Sequence, residues 1–150
     1  MLDRFAEGTA ILPETSTSDE ANERRQPGGG KQVLIVEDDL VIIELIQDIV
    51  SSLGFGVVVA ENAVEALAEF EECSGRAACV ILDYSIPGMD ASRLLSRMKE
   101  INSKIKVILS SGYSPNFIGR DFPLDEVDGF IAKPYEPQKL IEALMKVMEH

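Results

Sequence analysis

The chain has 150 residues, 45% of them hydrophobic and 27% charged, a balance that suits one globular domain with a real core. Its 26 acids against 14 bases leave a net charge of −12, which argues against direct binding to a phosphate backbone. No apolar run approaches the roughly 20 residues that span a bilayer, no basic-then-apolar stretch marks a secretory signal, and Cys73 and Cys79 alone make no disulfide framework. A cytoplasmic location is therefore expected, with both thiols reduced and structural.

From Pro13 to Gln32 there is no Val, Ile, Leu, Met, Phe, Trp or Tyr. Such a stretch cannot bury enough apolar area to offset its ordering entropy, so residues 1–31 read as a disordered tail or linker and residues 32–150 as the folded domain. Gly28-Gly29-Gly30-Lys31 precedes a strand instead of following one, so it is not a phosphate-binding loop. Val33-Leu34-Ile35-Val36 suits a strand buried on both faces, and Ile42, Leu45, Ile46, Ile49 and Leu53 follow at helical spacing up to the stop at Gly54. Gly56 to Val59 predicts a second strand, then Ala63, Val64, Leu67 and Phe70 a second helix. Cys79 to Leu82 predicts a third strand, and Leu94, Leu95, Met98 and Ile101 a third helix. Val107 to Leu109 and Gly129 to Ala132 complete five strands, and Leu140, Ile141, Leu144 and Val147 mark a last helix opened by Pro137. Residues 113–128 carry Pro115 and Pro123 and no long apolar stripe, so a helix there is short or irregular. Five strands alternating with helices predict right-handed crossovers and a doubly wound α/β fold with a parallel sheet.

In such sheets ligands sit beyond the carboxyl ends of the strands. Strand one runs into Glu37-Asp38-Asp39, strand three into Asp83, strand four into Ser110-Ser111-Gly112 and strand five into Lys133-Pro134. Acids after a strand often cap the next helix, and Asp39 is expected to do only that. Glu37, Asp38 and Asp83 together would repel one another unless a cation sat among them, and their hard oxygens suit Mg²⁺. With Lys133 as a point charge and Ser111 as a donor beside them, an Asp83 oxygen is placed to attack a phosphoryl group in line and form an aspartyl phosphate. Each residue alone is weak; four strand ends carrying compatible groups at once make the case.

These motifs resemble response-regulator receiver domains: Val33-Leu-Ile-Val-Glu-Asp-Asp39, Val80-Ile-Leu-Asp-Tyr-Ser-Ile-Pro-Gly-Met-Asp90, Val107-Ile-Leu-Ser-Ser-Gly-Tyr113 and Phe130-Ile-Ala-Lys-Pro-Tyr135 stand in the family's order over about residues 32–149. The resemblance implies a flavodoxin-like sheet of order 2-1-3-4-5 with an irregular fourth helix. It implies that Asp83 accepts a phosphoryl group from a histidine kinase or a histidine phosphotransfer protein in a two-component pathway. Glu37, Asp38, Asp83 and the backbone carbonyl of Ser85 match the Mg²⁺ ligands, Ser111 the switch hydroxyl, Lys133 the paired ammonium and Phe130 the aromatic that turns inward on activation. Ser110 fits the switch position less well, because Ser111-Gly112 aligns with the family's pair. Ser85 and Tyr113 match positions that tune the phosphoryl lifetime. The implied protein is a switch rather than a classical enzyme, with an unidentified downstream partner on the helix 4–strand 5–helix 5 face. A phosphorylation-dependent dimer is among the forms it allows.

A haloacid-dehalogenase-type phosphatase would want a second Asp where Ser85 stands, and a flavin-binding module would want a glycine- or hydroxyl-rich loop where Glu37-Asp38-Asp39 stands. A stand-alone regulator is the favoured context. The alternatives are a C-terminal receiver of a hybrid sensor kinase and a non-switching scaffold that keeps the fold.

Overall fold

The apolar runs form a five-stranded, all-parallel sheet in a computed structural model that describes residues 31–73 and 76–149. The tail expected over residues 1–31 lies, Lys31 aside, outside the described residues. The strands are β1 (Gln32–Val36), β2 (Gly56–Ala60), β3 (Cys79–Asp83), β4 (Val107–Ser111) and β5 (Gly129–Ala132). Their order across the sheet is β2-β1-β3-β4-β5, the order that the resemblance to receiver domains implies. β3 and β4 are buried at every position, whereas β2 at one edge is only half-buried along most of its length. This is why Cys79 to Leu82 reads as a continuous apolar run with no alternation.

Among the described residues five helices cover the two faces: α1 (Leu40–Ser52), α2 (Ala63–Glu72), α3 (Ala91–Ile101), a four-residue α4 (Pro115–Ile118) and α5 (Pro137–Met148). Alternate strand residues divide the core accordingly. Val33, Ile35, Ile81 and Ile108 pack with Ile46, Val50, Leu140 and Leu144 of α1 and α5. Leu34, Val36, Leu82 and Leu109 pack with Phe70, Leu94, Met98 and Ile118 of α2, α3 and α4.

Local chemistry sets the boundaries. Asp39 caps α1, its Oδ1 accepting from Val41 N at 2.9 Å and Ile42 N at 3.4 Å. At the other end Gly54 takes φ 92°, and its amide bonds Ser51 O while Phe55 N bonds Val50 O, the paired closure that a left-handed residue permits. Asn62 caps α2 by accepting from Glu65 N at 2.8 Å. The buried stripe of α1 centres on Ile43, Ile46, Ile49 and Val50, slightly rotated from the predicted one. Val64, predicted for the apolar face of α2, is exposed, and Ala66 fills the core position instead. The small Ala66 escapes a periodicity count that weighs only large apolar residues.

The proline-bearing segment is irregular, as expected. Pro115 occupies the first turn of α4, Ser114 caps it through Phe117 N at 3.2 Å, and Gly119 ends it. A 3-10 turn at Leu124–Glu126 follows Pro123. The segment is still anchored, because Ile118 and Phe122 are buried in the core.

Candidate functional site

Glu37, Asp83 and Ser110 stand at the carboxyl ends of the three central strands, β1, β3 and β4. Asp83 is in register with Ser110, and Glu37 lies one residue beyond the registered pair Val36 and Leu82. All three are buried, at 2% for Glu37, 3% for Asp83 and 0% for Ser110, although each is polar. Burying ionised groups is costly unless they are paired, and the pairing comes from β5. The Lys133 amide bonds Ser111 O at 2.9 Å, and its Nζ lies 3.0 Å from Glu37 Oε1 and 3.3 Å from Asp83 Oδ1.

The second Glu37 oxygen accepts from Asp39 N at 3.1 Å, and Asp83 Oδ1 accepts from Ser85 N at 3.2 Å. Glu37 Oε1 differs: it is buried and close to Lys133 Nζ, yet it accepts no aligned hydrogen bond. Burial pushes the Glu37 carboxyl above its ordinary range, and repulsion from Asp83 adds to this against the opposing pull of Lys133. For the Lys133 ammonium burial works downward, but its pairing with Glu37 and Asp83 wins and its pKa is raised.

Glu37, Asp38 and Asp83 each offer a carboxylate oxygen, all within 4.8 Å of one another, and Asp38 keeps the cluster open to solvent. These residues fit a hard divalent cation on two grounds. The donors are all oxygen, and three carboxylates meet around the Lys133 ammonium, which leaves excess negative charge for a cation to offset.

Ser111 is buried, and its Oγ accepts from Tyr113 N at 2.9 Å. Phe130 is half-buried against the α2–α4 side of the core. Ser85 and Tyr113 both line an open cleft of about 660 Å³ beside Asp83, together with Tyr84, Met89, Phe117 and Asp121. Tyr113 stacks on Phe117 at 4.9 Å and meets Tyr84 edge-on at 6.1 Å, while the Tyr84 hydroxyl donates to Asp121 at 3.2 Å. The short α4 is thus tied to the loop that follows Asp83. Sequence reasoning passed over Tyr135, whose hydroxyl hydrogen-bonds the buried Ser110 hydroxyl. The available signal was a hydroxyl-bearing aromatic two residues after Lys133, in the loop between β5 and α5.

Comparison with known proteins places this arrangement. Residues 33–145 match the response regulator receiver domain family. The chain belongs to that family. Among relatives, the receiver domain is 32% identical over 121 residues to the sensor kinase CckA of Brucella abortus, covering 81% of this chain and 13% of that protein. It is 30% identical over 118 residues to the chemotaxis protein CheY of Bacillus subtilis, covering 78% of this chain and 97% of that one. The response regulator TrrA of Thermotoga maritima, solved in complex with Mg²⁺-BeF, is 29% identical with a TM-score of 0.68, covering 78% of this chain and 98% of that one. The receiver domain is therefore a two-component signalling module of the flavodoxin-like fold. Among the described residues no helix is long and apolar enough to cross a membrane.

Proposed function

We propose that this receiver domain is a phosphorylation switch whose acceptor is Asp83. The carrying observation is one partly buried ammonium, Lys133, held within 3.3 Å of the buried carboxylates of Glu37 and Asp83, with a third carboxylate beside them. Glu37, Asp38 and Asp83, with the backbone carbonyl of Ser85, would hold Mg²⁺, in keeping with the Mg²⁺-BeF complex of TrrA. When bound, the ion would neutralise charge on the phosphoryl oxygens.

The protein's own residues do the rest. An Asp83 carboxylate oxygen attacks the phosphorus of a phosphohistidine on a kinase or phosphotransfer protein. The P–N bond breaks, its electron pair stays on the imidazole nitrogen, and an aspartyl phosphate forms. Lys133 turns from the carboxylate to the new phosphoryl oxygens, and the Ser111 hydroxyl, which has only the Tyr113 amide to accept from, donates to them. Those new partners bias a two-state equilibrium in which Phe130 moves inward and the face of α4, β5 and α5 is remodelled for a downstream protein. Here α4 is four residues long and tied to the Asp83 loop through Tyr84, Tyr113 and Asp121, so the change reaches a more irregular surface than a full helix would present.

The curated relatives bracket the context: CheY is matched over nearly its whole length, and CckA over a small part of a longer sensor kinase. The match to CheY supports a stand-alone regulator, the reading we favour. A receiver within a longer sensor kinase is the second reading, favoured by the CckA match. The deciding experiment incubates the protein with Mg²⁺ and acetyl phosphate and records its intact mass beside Asp83→Asn. A single phosphoryl adduct, lost with EDTA and absent from the variant, is expected. No adduct with any phosphodonor would leave a non-switching scaffold.

A further inference from the structure

We infer that Tyr135 and Ser110 are a positioning pair for Lys133, which sets the rate of phosphoryl transfer without either residue touching the phosphoryl group. The inference rests on the proposed roles of Asp83 and Lys133. Ser110 is fully buried in β4, in register with Asp83, and projects to the same face of the sheet as Glu37 and Asp83. No aliphatic core position needs a hydroxyl, and a buried one is tolerated only with a partner. That partner is the Tyr135 hydroxyl, which arrives from the loop after β5 and packs its ring against the α1–α5 side of the core.

Lys133 is held at two places. Its amide is fixed to Ser111 O at 2.9 Å, and two residues later the chain is fixed again where Tyr135 meets Ser110. Both anchors lie on β4, on adjacent residues. The backbone that carries the ammonium is therefore clamped to the strand neighbouring Asp83, which limits where Nζ can go when it exchanges a carboxylate for a phosphoryl oxygen. Tyr135 also feels the nearby charges: burial first, and then Glu37 and Asp83, hold its hydroxyl protonated well above the ordinary tyrosine range, against the opposing effect of the Ser110 bond. The hydroxyl stays a neutral hydrogen-bonding group throughout the physiological pH range.

Removing either hydroxyl should loosen the clamp, and the two losses should not add. Tyr135→Phe keeps the ring, so the fold survives; Ser110→Ala leaves the Tyr135 hydroxyl without its partner, and the double variant restores a matched apolar contact. With acetyl phosphate and Mg²⁺, Tyr135→Phe and Ser110→Ala are each expected to phosphorylate about tenfold more slowly than wild type, and the double variant no more slowly than either. In a Lys133→Met background, Tyr135→Phe should change the residual rate by less than about twofold, because the group it positions is gone. A merely structural role would slow both backgrounds alike.

A wild-type rate for Tyr135→Phe, or the same slowing with and without Lys133, would overturn the inference while leaving Asp83 as acceptor. If the wild type takes up no phosphoryl group, the proposed function fails instead. The same Tyr135–Lys133 cycle on urea midpoints in EDTA then decides: coupled midpoints uphold the clamp, and additive ones refute it.

Discussion

Asp38→Asn should make the domain more stable without Mg²⁺ and less responsive to it. Asp38 is exposed, and its carboxylate lies within 4.8 Å of those of Glu37 and Asp83, so it adds repulsion to two buried acids while gaining little from its own pairing. At that distance two unit charges interact by about 1 kcal/mol in a water-like dielectric and by ~3.5 kcal/mol at an effective dielectric near 20. Solvent exposure of Asp38 favours the lower figure, and salt screens it further at physiological ionic strength. Relief from two neighbours, less the attraction lost to Lys133, comes to about 1 kcal/mol, or roughly 3–5 °C in melting temperature for a domain of this size. Mg²⁺ reverses the comparison. At ten times its dissociation constant a ligand that binds only the folded state adds ~1.4 kcal/mol, and the variant, lacking one ligand charge, should gain well under half of that. Urea unfolding followed by circular dichroism, in EDTA and in Mg²⁺, reads both arms. An Asp38→Asn protein less stable than wild type in EDTA would refute the repulsion argument, and an equal gain with Mg²⁺ would refute the ligand assignment.

Three further outcomes follow from the same structure. Lys133→Met strips the cation from two buried carboxylates; since the lysine side chain is only 20% exposed, the loss in EDTA should be about 2–3 kcal/mol, opposite in sign to Asp38→Asn, and a change under ~0.5 kcal/mol would contradict the pairing. Cys79 is fully buried and burial pushes its thiol from 9.0 up to about 12, so the folded state keeps a proton that the unfolded chain loses. Stability should therefore fall by ~1.4 kcal/mol per pH unit from this group between about pH 9 and 12, and Cys79→Ala should flatten that part of the alkaline unfolding curve. The native thiol should also resist alkylation at pH 8 until the protein is unfolded, in contrast to the partly exposed Cys73. Finally, Gly88 has φ 104°, and a Cβ there would meet the Ala63 amide nitrogen at 3.3 Å, so Gly88→Ala should cost about 1–2 kcal/mol in urea unfolding. A neutral result would mean that the loop after Asp83 can shift freely away from α2.

The sheet was legible because a parallel, doubly covered sheet writes itself as short β-branched runs separated by helical stripes; its strand order came only from the resemblance of the strand-end motifs to receiver domains. The acids were legible because each follows such a run directly, and the topology brings strand ends together whatever the loops do. The less legible parts depend on side-chain size and on distance. The buried stripe of α2 runs through Ala63, Ala66 and Phe70 and leaves Val64 exposed, because small alanines carry little weight in a reading that follows large apolar residues. Side chains alternate between two covered faces up to Glu37, whose amide still bonds Ala60 O and whose carboxylate faces Lys133, whereas Asp38 lies past the end of the sheet and is exposed, which no composition count reveals.

The same alternation explains why Ser110 and Ser111 divide their work. Adjacent on β4, they face opposite sides of the sheet, so one can join Tyr135 on the α1–α5 side while the other meets the Tyr113 amide on the side of α4. A sequence reading that treats the pair as two candidates for one role weighs them against each other. In three dimensions they do not compete. Ser111 lies where a phosphoryl group on Asp83 would be read by the irregular segment, and Ser110 lies where the strand holds the chain that carries Lys133. A double serine at a strand end can thus supply a hydroxyl to each face: exchanging Ser111 for Ala should leave the Tyr135 contact intact, and exchanging Ser110 for Ala should leave the Ser111–Tyr113 contact intact. Amide chemical shifts of Tyr113 and Tyr135 in the two variants separate these effects, and a shift of both in either variant would show that the two faces are coupled through the strand.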